Sequence, residues 1–512
     1  MKKRVVFPFL GMLCSLNIFA QNKIIVQADS GKFIINKNIY GHFSEHLGHC
    51  IYEGIYVGEN NKDIPNTNGI RNDVVEALKK LKVPLLRWPG GCFADTYHWK
   101  DGVGPKDKRA SIVNQWWGGI TEDNSFGTHE FLNFCKLIGA EPYISGNVGS
   151  GTVKEMSDWV SYANASPASD PMSKWREENG QKEPWQVKYW GVGNEAWGCG
   201  GNMLPEYYVN IFRQYATYLT DVNNTKMFRI ASGASGDDTH WTEVLMKNIP
   251  LGVLQGIGVH HYAVTNWEHK GSATNYVEKE YFNTIKEALR MEDIIAHHSA
   301  IMDQYDLTKK VALGVDEWGA WYDNEPNTNP GFLFQQNTMR DAVLAGATLN
   351  IFNNHCERVR MANLAQIVNV LQAIILTNKE KLILTPTYHV MEMYNVHQDA
   401  TMLPVKVETE DYVFENNKLP AISASASKDK NGITHISLTN ADASKTKDVI
   451  VELKGGSYKT ISGRILASDK LQDFNSFDKP NKIRPVNFNA QIKDNKIQIK
   501  IPAFSVMILS VE

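Results

Sequence analysis

The sequence predicts a (β/α)8 barrel of the α/β class, followed by a C-terminal antiparallel β-sandwich. From residue 39 to residue 384, eight short apolar runs alternate with eight stretches of helical periodicity. Strands that alternate with helices form a parallel sheet, and eight such units close into a barrel. After residue 384 the pattern changes to short alternating runs separated by turn clusters such as 429–432. That change is typical of an antiparallel sandwich.

Each predicted barrel strand is an apolar run that ends in polar or glycine residues. In chain order these strands are 39–46, 83–88, 141–146, 189–195, 228–233, 256–262, 311–317 and 348–353. Helices are predicted from apolar residues spaced three and four apart, at 70–81, 126–138, 153–165, 205–221, 241–247, 276–305, 331–346 and 363–377.

Residues 23–35 alternate like one or two strands but have no partner in this order. We therefore expect an N-terminal segment over 21–38 that joins the sandwich, a barrel over 39–384 and a sandwich over 385–512.

The first twenty residues match a secretory signal peptide. Basic residues precede an apolar run over 5–13, and the small residue Ala20 precedes a polar start at Gln21. This run is too short to span a bilayer, and no other run approaches the necessary length. We expect cleavage near Ala20 and export to the periplasm or the extracellular space.

Composition restricts the class of partner. The 512 residues carry a net charge of −3 without a basic stripe, which argues against nucleic acid. The 13 Trp and 20 Tyr side chains offer flat apolar faces with a polar edge. Such faces suit sugar rings, so a carbohydrate is the favoured ligand.

The cysteines and histidines form no recognisable cofactor motif. Five cysteines follow residue 20 at irregular spacing, and the sequence does not show which of them pair, at 50, 92, 135, 199 and 356. His260 and His261 are neighbours, but adjacent residues of a strand point to opposite faces and cannot converge on one ion. We expect neither a metal nor an organic cofactor, and His261 is a candidate for the pocket lining.

Two glutamates end two of the predicted strands. Glu195 lies at the end of strand four and Glu317 at the end of strand seven, and a tryptophan follows each. A buried carboxylate is costly unless it is hydrogen-bonded or has a task. Hydrolysis of a glycosidic bond needs a proton for the leaving oxygen and a nucleophile at the anomeric carbon, and two carboxyl groups supply both. The pair predicts a glycosidase whose site lies where the barrel strands end.

Six segments, in order over nearly the whole chain, carry a family resemblance. They are 41–48 (GHFSEHLG), 87–95 (RWPGGCFAD), 97–105 (YHWKDGVGP), 191–195 (GVGNE), 316–318 (DEW) and 363–366 (NLAQ). Together they resemble glycoside hydrolase family 51, the retaining α-L-arabinofuranosidases. The Asn-Glu pair alone would indicate only the larger clan of barrel glycosidases.

The resemblance implies a double displacement that releases terminal non-reducing α-L-arabinofuranosyl residues from plant polysaccharides or oligosaccharides. It implies that Glu195 is the acid/base and that Glu317 is the nucleophile. It further implies substrate-binding roles: Asn194 for the sugar 2-hydroxyl, Glu45, Cys92 and Gln366 for the other hydroxyls, Tyr262 and Arg87 for the nucleophile, and Trp99 and Trp321 for the pocket walls. It also implies an N-terminal strand within the sandwich and a homo-oligomer, commonly a hexamer.

Three other functions compete with this interpretation. Some relatives of the family cut β-glucans internally, and the loops 100–123 and 321–331 would set the groove shape that distinguishes them. A non-catalytic sugar-binding barrel would lack one of the two glutamates, and both are present. A metal-dependent barrel hydrolase would need a ligand cluster, which the sequence pattern does not offer.

Overall fold

Eight parallel strands close into a barrel in the computed structural model of the chain, which describes residues 22–512. Strand β1, Asn22–Gln27, precedes the barrel. The barrel strands β2–β9 are Gly41–Phe43, Leu85–Trp88, Glu141–Gly146, Tyr189–Val192, Phe228–Ala231, Gly256–Ala263, Ala312–Ala320 and Val359–Ala365. Each pairs with the next along the chain, and β9 closes the ring against β2. The predicted (β/α)8 barrel is confirmed.

Helices cover the outside of the barrel. The helices α1–α10 are Asn72–Leu81, Thr128–Ile138, Val153–Asn164, Pro171–Glu178, Pro205–Tyr218, Thr239–Asn248, Glu278–Leu289, Met291–Tyr305, Met339–Asn354 and Pro386–Tyr394. In α1 the buried residues Val74, Val75 and Leu78 lie on one face, as helical spacing requires. Within residues 22–512, no helix is both long and apolar enough to cross a membrane.

The eighth strand lies later in the chain than the sequence pattern predicts. Residues 348–353, predicted as that strand, belong to α9, which is buried around its whole circumference up to Asn353. A helix that is apolar on all sides loses the period that marks a surface helix. Its β-branched and aromatic residues then favour a strand assignment. The strand prediction for 348–353 is therefore wrong.

The helix predicted over 363–377 is also wrong. These residues form the end of β9, a buried loop, and the first strand of the hairpin β10–β11, Ile375–Asn378 and Lys381–Leu384. Asn369 and Leu371 in that loop have φ angles of 60° and 40°, which a right-handed helix does not allow. The segment is apolar because it is buried on all sides, and its apolar residues happen to have a spacing that resembles that of a helix.

The chain after the barrel forms two packed sheets whose strands pair antiparallel, except that β1 pairs parallel with the strand Lys447–Lys454. Strands β12–β23 are Thr401–Leu403, Val405–Glu408, Asp411–Phe414, Asn417–Pro420, Ile422–Lys428, Thr434–Asn440, Lys447–Lys454, Ile461–Leu466, Val486–Phe488, Ile492–Lys493, Lys496–Ile501 and Ser505–Val511. One sheet has the order β13-β1-β18-β22-β21 and the other β12-β16-β17-β23-β19-β20. The predicted C-terminal sandwich is confirmed, and β1 lies inside one of its sheets.

The domain limits remain a prediction. We propose that the barrel domain extends past residue 384 to include α10, because the hydroxyl of Tyr388 donates to the carbonyl of Ala77 on α1 at 2.9 Å. The predicted signal peptide over 1–20 lies outside the described residues.

Helix α9 connects the barrel to the sandwich through a buried asparagine. Asn350 donates to the hydroxyl of Ser423 at 3.0 Å and accepts from the hydroxyls of Ser425, Ser437 and Tyr394 at 2.9, 2.7 and 3.1 Å. Removing this side chain would break four hydrogen bonds at once at the buried contact between barrel and sandwich, and lost buried hydrogen bonds are costly even where the hydroxyls keep a second partner.

We therefore expect Asn350→Ala to lower the free energy of unfolding by about 2–3 kcal/mol. Asn354→Ala is the matched control, since Asn354 is exposed and makes one bond from the same helix to the same strand. Its loss is expected to be under about 1 kcal/mol. Thermal unfolding of both variants measures the difference, and equal destabilisation would contradict the proposed connection.

Candidate active site

Glu195 and Glu317 lie at the same end of the barrel. Glu317 is within β8, and Glu195 follows the end of β5 by three residues. The backbone turns sharply before the carboxyl group, with φ angles of 84° at Gly193 and 39° at Glu195. A left-handed backbone at a residue with a side chain is strained and needs support. The N–H of Asn194 supplies support by donating to the carboxyl of Asp95 at 3.0 Å.

The Glu317 carboxyl is buried and accepts a hydrogen bond on each oxygen. Arg87 Nη1 donates to Oε1 at 2.8 Å, and the hydroxyl of Tyr262 donates to Oε2 at 2.8 Å. Burial raises the pKa of Tyr262 well above its ordinary value, and the Glu317 charge raises it further. The tyrosine therefore keeps its proton and remains a donor, so that both carboxyl oxygens are fixed.

Arg87, on β3, hydrogen-bonds residues of β4, of β8 and of the turn after β5. Besides Glu317, it donates to the backbone oxygen of Asp316 at 3.0 Å, to Asn194 Oδ1 at 2.5 Å and to Ser145 Oγ at 3.0 Å. Burial alone would lower the pKa of this guanidinium, but the charges of Glu317 and Asp316 outweigh burial and raise it. Arg87 is thus a permanent positive charge beneath the pocket.

The Glu195 carboxyl is less buried than the Glu317 carboxyl. Its side chain is 19% exposed, against 7% for Glu317. Oε1 lies 2.9 Å from His260 Nδ1, and Oε2 lies 3.5 Å from Cys199 Sγ. Because it reaches solvent, this carboxyl can exchange protons with water, as a general acid/base must.

His260 stands among three carboxyl groups. Besides Glu195, its Nε2 lies 3.2 Å from Asp316 Oδ1 and its Nδ1 lies 3.5 Å from Glu317 Oε2. Burial lowers the pKa of His260, but the charges of Glu317 and Asp316, with hydrogen bonds to Asp316 and Glu195, raise it overall to about 10. The ring is therefore an imidazolium at neutral pH. It gives the site a second positive charge.

Glu45 forms a further acidic corner of the pocket. Its Oε1 accepts from the N–H groups of Gly91 and Phe93 at 2.9 and 3.2 Å and from Trp117 Nε1 at 3.0 Å. Its Oε2 accepts from Gln366 Nε2 at 2.9 Å. Burial, followed by the charge of Glu317, raises the pKa of Glu45 to about 7, although these donors act in the opposite direction.

The glycine loop after β3 leaves room for a ligand. A Cβ atom added at Gly91 would lie 2.9 Å from Glu317 Oε1 and 3.4 Å from Asn194 Nδ2. Any side chain there would enter the space between the polar groups. The residues that line this space are Glu45, Gly91, Cys92, Trp117, Asn194, Glu195, Tyr262, Glu317, Trp321, Leu333, Gln366 and Leu371.

The structure brings together most of the residues that the sequence singled out. Eight line the pocket and Arg87 lies beneath them, whereas Trp99 does not belong to it. Trp99 is buried behind the barrel, stacked on Trp159 with its indole N–H donating to the carbonyl of Glu155 at 2.9 Å. The prediction that Trp99 shapes a pocket wall is wrong, because its ring packs against α3 and is absent from the pocket lining.

The prediction that His261 lines the pocket is also wrong, and its neighbour His260 is the histidine that contacts Glu195 and Glu317. His261 Nε2 bonds the carbonyl of Glu287 on α7, outside the barrel. Strand alternation could have identified His260, since it shares a face with Tyr262 two residues later. Trp117, Leu333 and Leu371 carried no usable signal, because they lie in irregular loops.

Cys92 and Cys199 are joined by a disulfide, with Cα atoms 5.5 Å apart. The bridge connects the loop after β3 to the loop after β5 and forms part of the pocket wall. The three other described cysteines are unpaired and buried, namely Cys50, Cys135 and Cys356. The sequence left the pairing open because residues 92 and 199 come together only through the barrel.

A larger groove of about 930 Å³ lies elsewhere on the surface, lined by residues that include His49, Tyr52 and Lys379. Its acidic side chains are all exposed: Glu53, Asp63, Asp123 and Glu380. Functional carboxyl groups are typically buried beside charged or polar partners, as Glu45 and Glu317 are in the smaller pocket, so the smaller pocket is the site of chemistry.

Comparison with known families agrees with this geometry. Residues 77–280 match the alpha-L-arabinofuranosidase 1 domain, and residues 316–505 match the alpha-L-arabinofuranosidase C-terminal domain. The second match begins within β8 and runs through nearly all of the sandwich, so the two matches together include both the barrel and the sandwich.

Individual relatives cover all or nearly all of the chain. It is 50% identical to an intracellular exo-alpha-L-arabinofuranosidase of Bacteroides ovatus, over all of both chains. The crystal structure of a GH51 arabinofuranosidase from Xanthomonas axonopodis pv. citri is 45% identical, with a TM-score of 0.94 over 96% of this chain and 100% of that one. The arabinose complex of a Thermotoga maritima alpha-L-arabinofuranosidase is 30% identical, with a TM-score of 0.85 over the same shares.

The first of these relatives corrects the expected localisation. A protein half identical over its full length is named intracellular, which contradicts export to the periplasm or extracellular space and the signal peptide inferred up to Ala20. The inference depended on one short apolar run behind three basic residues, a pattern that composition alone can produce. The pocket geometry and these matches lead to one conclusion: the chain belongs to glycoside hydrolase family 51 and is an α-L-arabinofuranosidase.

Proposed function

We propose that this exo-acting enzyme uses Glu317 as nucleophile and Glu195 as acid/base in a retaining double displacement. The observation that carries the proposal is the short separation of the two carboxyl groups. Ligand atoms of Glu195, His260 and Glu317 all lie within 4.8 Å of one another. Inverting glycosidases separate the two carboxyl groups by about 6.5–9.5 Å to admit a water, whereas retaining ones hold them about 5–5.5 Å apart.

The environments of the two glutamates support this division of labour. Glu317 is held on both oxygens by Arg87 and Tyr262, which suits a group that attacks from a fixed position. Glu195 is more exposed and has one oxygen on His260, which suits a group that gives a proton to the leaving oxygen and later takes one from water. The imidazolium of His260 positions the Glu195 carboxyl.

We propose that the remaining polar groups bind the furanose ring. Asn194, fixed by Arg87 and by the turn at Asp95, would bind the 2-hydroxyl next to the reacting carbon. Glu45, Gln366 and the Cys92 side of the disulfide would contact the other hydroxyls. Since Glu45 and Gln366 already hydrogen-bond each other, they are held in place before the sugar enters.

The pocket supports action on chain ends. Loop residues Trp117, Leu333 and Leu371 complete its lining, and such an enclosure accepts one terminal sugar, whereas internal cleavage of a β-glucan needs an open groove. At the rim, Trp267 is 60% exposed and its ring centre lies 5.6 Å from that of Trp321. We propose that this aromatic wall contacts the polymer or oligosaccharide from which arabinose is removed. A homo-oligomer remains a prediction, which light scattering would test.

Removing either glutamate should produce a different defect. We expect Glu317→Ala to lose roughly 10⁴-fold or more in kcat on every substrate, since no covalent intermediate can form. With a dinitrophenyl arabinofuranoside, Glu195→Ala should still form the intermediate but hydrolyse it slowly, because water lacks its general base. Azide needs no base, so it should raise turnover of this variant by about tenfold or more.

The anomeric configuration of the azide product assigns the roles. Glu317 attacks the α-linked substrate from the β face, so azide displaces it from the α face and Glu195→Ala should yield the α-azide. In Glu317→Ala, azide occupies the place of the nucleophile and should yield the β-azide or nothing. Proton NMR of the products distinguishes the two, and reversed configurations would mean that the two roles are exchanged.

His260 should influence both rate and pH-dependent stability. We expect His260→Gln to lower kcat/KM by about tenfold or more, because the Glu195 carboxyl loses its charged partner. The pKa of His260 is raised from 6.5 to about 10, so the stability it contributes is fully present below pH 6.5 and is lost as pH rises towards 10. The difference in melting temperature between wild type and variant should shrink over that window.

The neighbouring histidine supplies the control for this experiment. His261→Gln changes a residue that bonds α7 outside the pocket, and its rate should stay near that of the wild type. If both variants lost activity equally, or if the His260→Gln difference in melting temperature grew between pH 6.5 and 10, the electrostatic role of His260 would be wrong.

A further inference from the structure

The disulfide beside Glu195 belongs to a cluster of possible metal ligands that the glycosidase mechanism does not use. The sulfurs of Cys92 and Cys199 and a carboxyl oxygen of Glu195 all lie within 4.8 Å of one another. All three side chains are partly exposed. The sequence offered no metal motif because residues 92 and 195–199 meet only through the barrel.

The carboxyl of Glu195 is already oriented towards the sulfurs. His260 holds its Oε1 at 2.9 Å, which leaves Oε2 directed at Cys199 Sγ at 3.5 Å. The amide nitrogen of Asn194 lies 3.8 Å from the same sulfur. Two sulfurs and one carboxyl oxygen are therefore close enough to share one cation, and two of the three side chains, Cys92 and Glu195, line the pocket.

We propose that the reduced form of Cys92 and Cys199, together with Glu195, is a binding site for a thiophilic divalent cation such as Zn²⁺, and that occupation of this site blocks the enzyme. Thiolates select zinc over magnesium or calcium. Three protein ligands with one open position form a common zinc geometry. The blocking part rests on the proposed role of Glu195, because a coordinated carboxylate cannot carry a proton.

The chemistry requires a reductant before the metal. A phosphine breaks the sulfur–sulfur bond, takes up the oxygen of one water molecule and is oxidised to its phosphine oxide, while the two sulfurs gain protons as thiols. Zn²⁺ then displaces both thiol protons to solvent and forms two zinc–sulfur bonds. Two thiolates on one zinc at about 2.3 Å lie roughly 3.8 Å apart, a separation compatible with Cα atoms 5.5 Å apart.

The oxidised protein has no such site, because sulfurs in a disulfide are not thiolate ligands. The unpaired cysteines at 50, 135 and 356 are buried, and burial raises the pKa of the Cys50 and Cys356 thiols to about 12. They keep their protons and do not compete. Sensitivity to zinc should thus depend on the redox state of a single pair.

The test compares oxidised and reduced enzyme. Wild type is treated with tris(carboxyethyl)phosphine, freed of it without air, and titrated with ZnCl₂. We expect the reduced form alone to bind one zinc per chain and to lose activity on an aryl arabinofuranoside at least about tenfold, with recovery on adding EDTA. Titration with Cd²⁺ should give the thiolate-to-metal absorption in the ultraviolet.

Variants locate the site, each compared with its own metal-free rate. Cys199→Ser should lose the inhibition and the absorption, while Cys356→Ser, a change at a buried cysteine away from the pocket, should keep both. Inhibition of oxidised enzyme, or of Cys199→Ser, at the same zinc concentration would overturn the proposal and point to the Glu195, His260 and Glu317 group instead. Absence of binding to the reduced form would also overturn it.

The two proposals can fail separately. Metal stoichiometry and thiolate absorption report on the cation site, whereas azide products report on the catalytic roles. Glu195→Gln should weaken zinc binding but keep the absorption, whatever its effect on catalysis. Unchanged zinc affinity in Glu195→Gln would remove the carboxylate from the site.

Discussion

The active site depends on the buried guanidinium of Arg87. It bonds Glu317, the backbone of Asp316, Asn194 and Ser145, so that one planar group sets the relative position of strands β3, β4 and β8 and of the turn after β5. A single buried charge would be costly, and removal of its partner would leave that cost uncompensated. The barrel brings these strand ends together, and Arg87 converts their proximity into a fixed geometry.

The remaining electrostatics follow from that arrangement. Two positive groups, Arg87 and His260, lie against the carboxyl groups of Asp316, Glu317 and Glu195. Burial would raise the pKa of Asp316, but the charge and hydrogen bond of His260, with Arg87, lower it overall. Asp95 supports the turn before Glu195. Burial raises its pKa to about 7, although three backbone N–H donors act in the opposite direction. The pocket therefore combines fixed charges with groups that exchange protons near neutrality.

Short local patterns in the sequence were enough to predict the strands and the polar residues at their ends. Seven barrel strands, both glutamates and the sandwich follow from runs of about six residues, because a buried strand is apolar whatever surrounds it. The same rule failed for α9, whose burial between the barrel and the sandwich removes the helical period at residues 348–353. Contacts between segments distant in sequence could not be predicted from local patterns. Cys92 and Cys199 come together only in the folded barrel, and Trp99 packs against α3 instead of the pocket. His260 owes its role to carboxyl groups on other strands.

The central claim is that Glu317 becomes covalently bonded to the sugar, and the most direct test is to trap that species. Glu195→Ala, incubated with a dinitrophenyl arabinofuranoside and quenched in acid, should accumulate the glycosyl-enzyme because its hydrolysis is slow. Peptide mass spectrometry should then find one pentosyl adduct on Glu317. An adduct on Glu45, or no adduct together with an inverted sugar released by the wild type, would contradict the account.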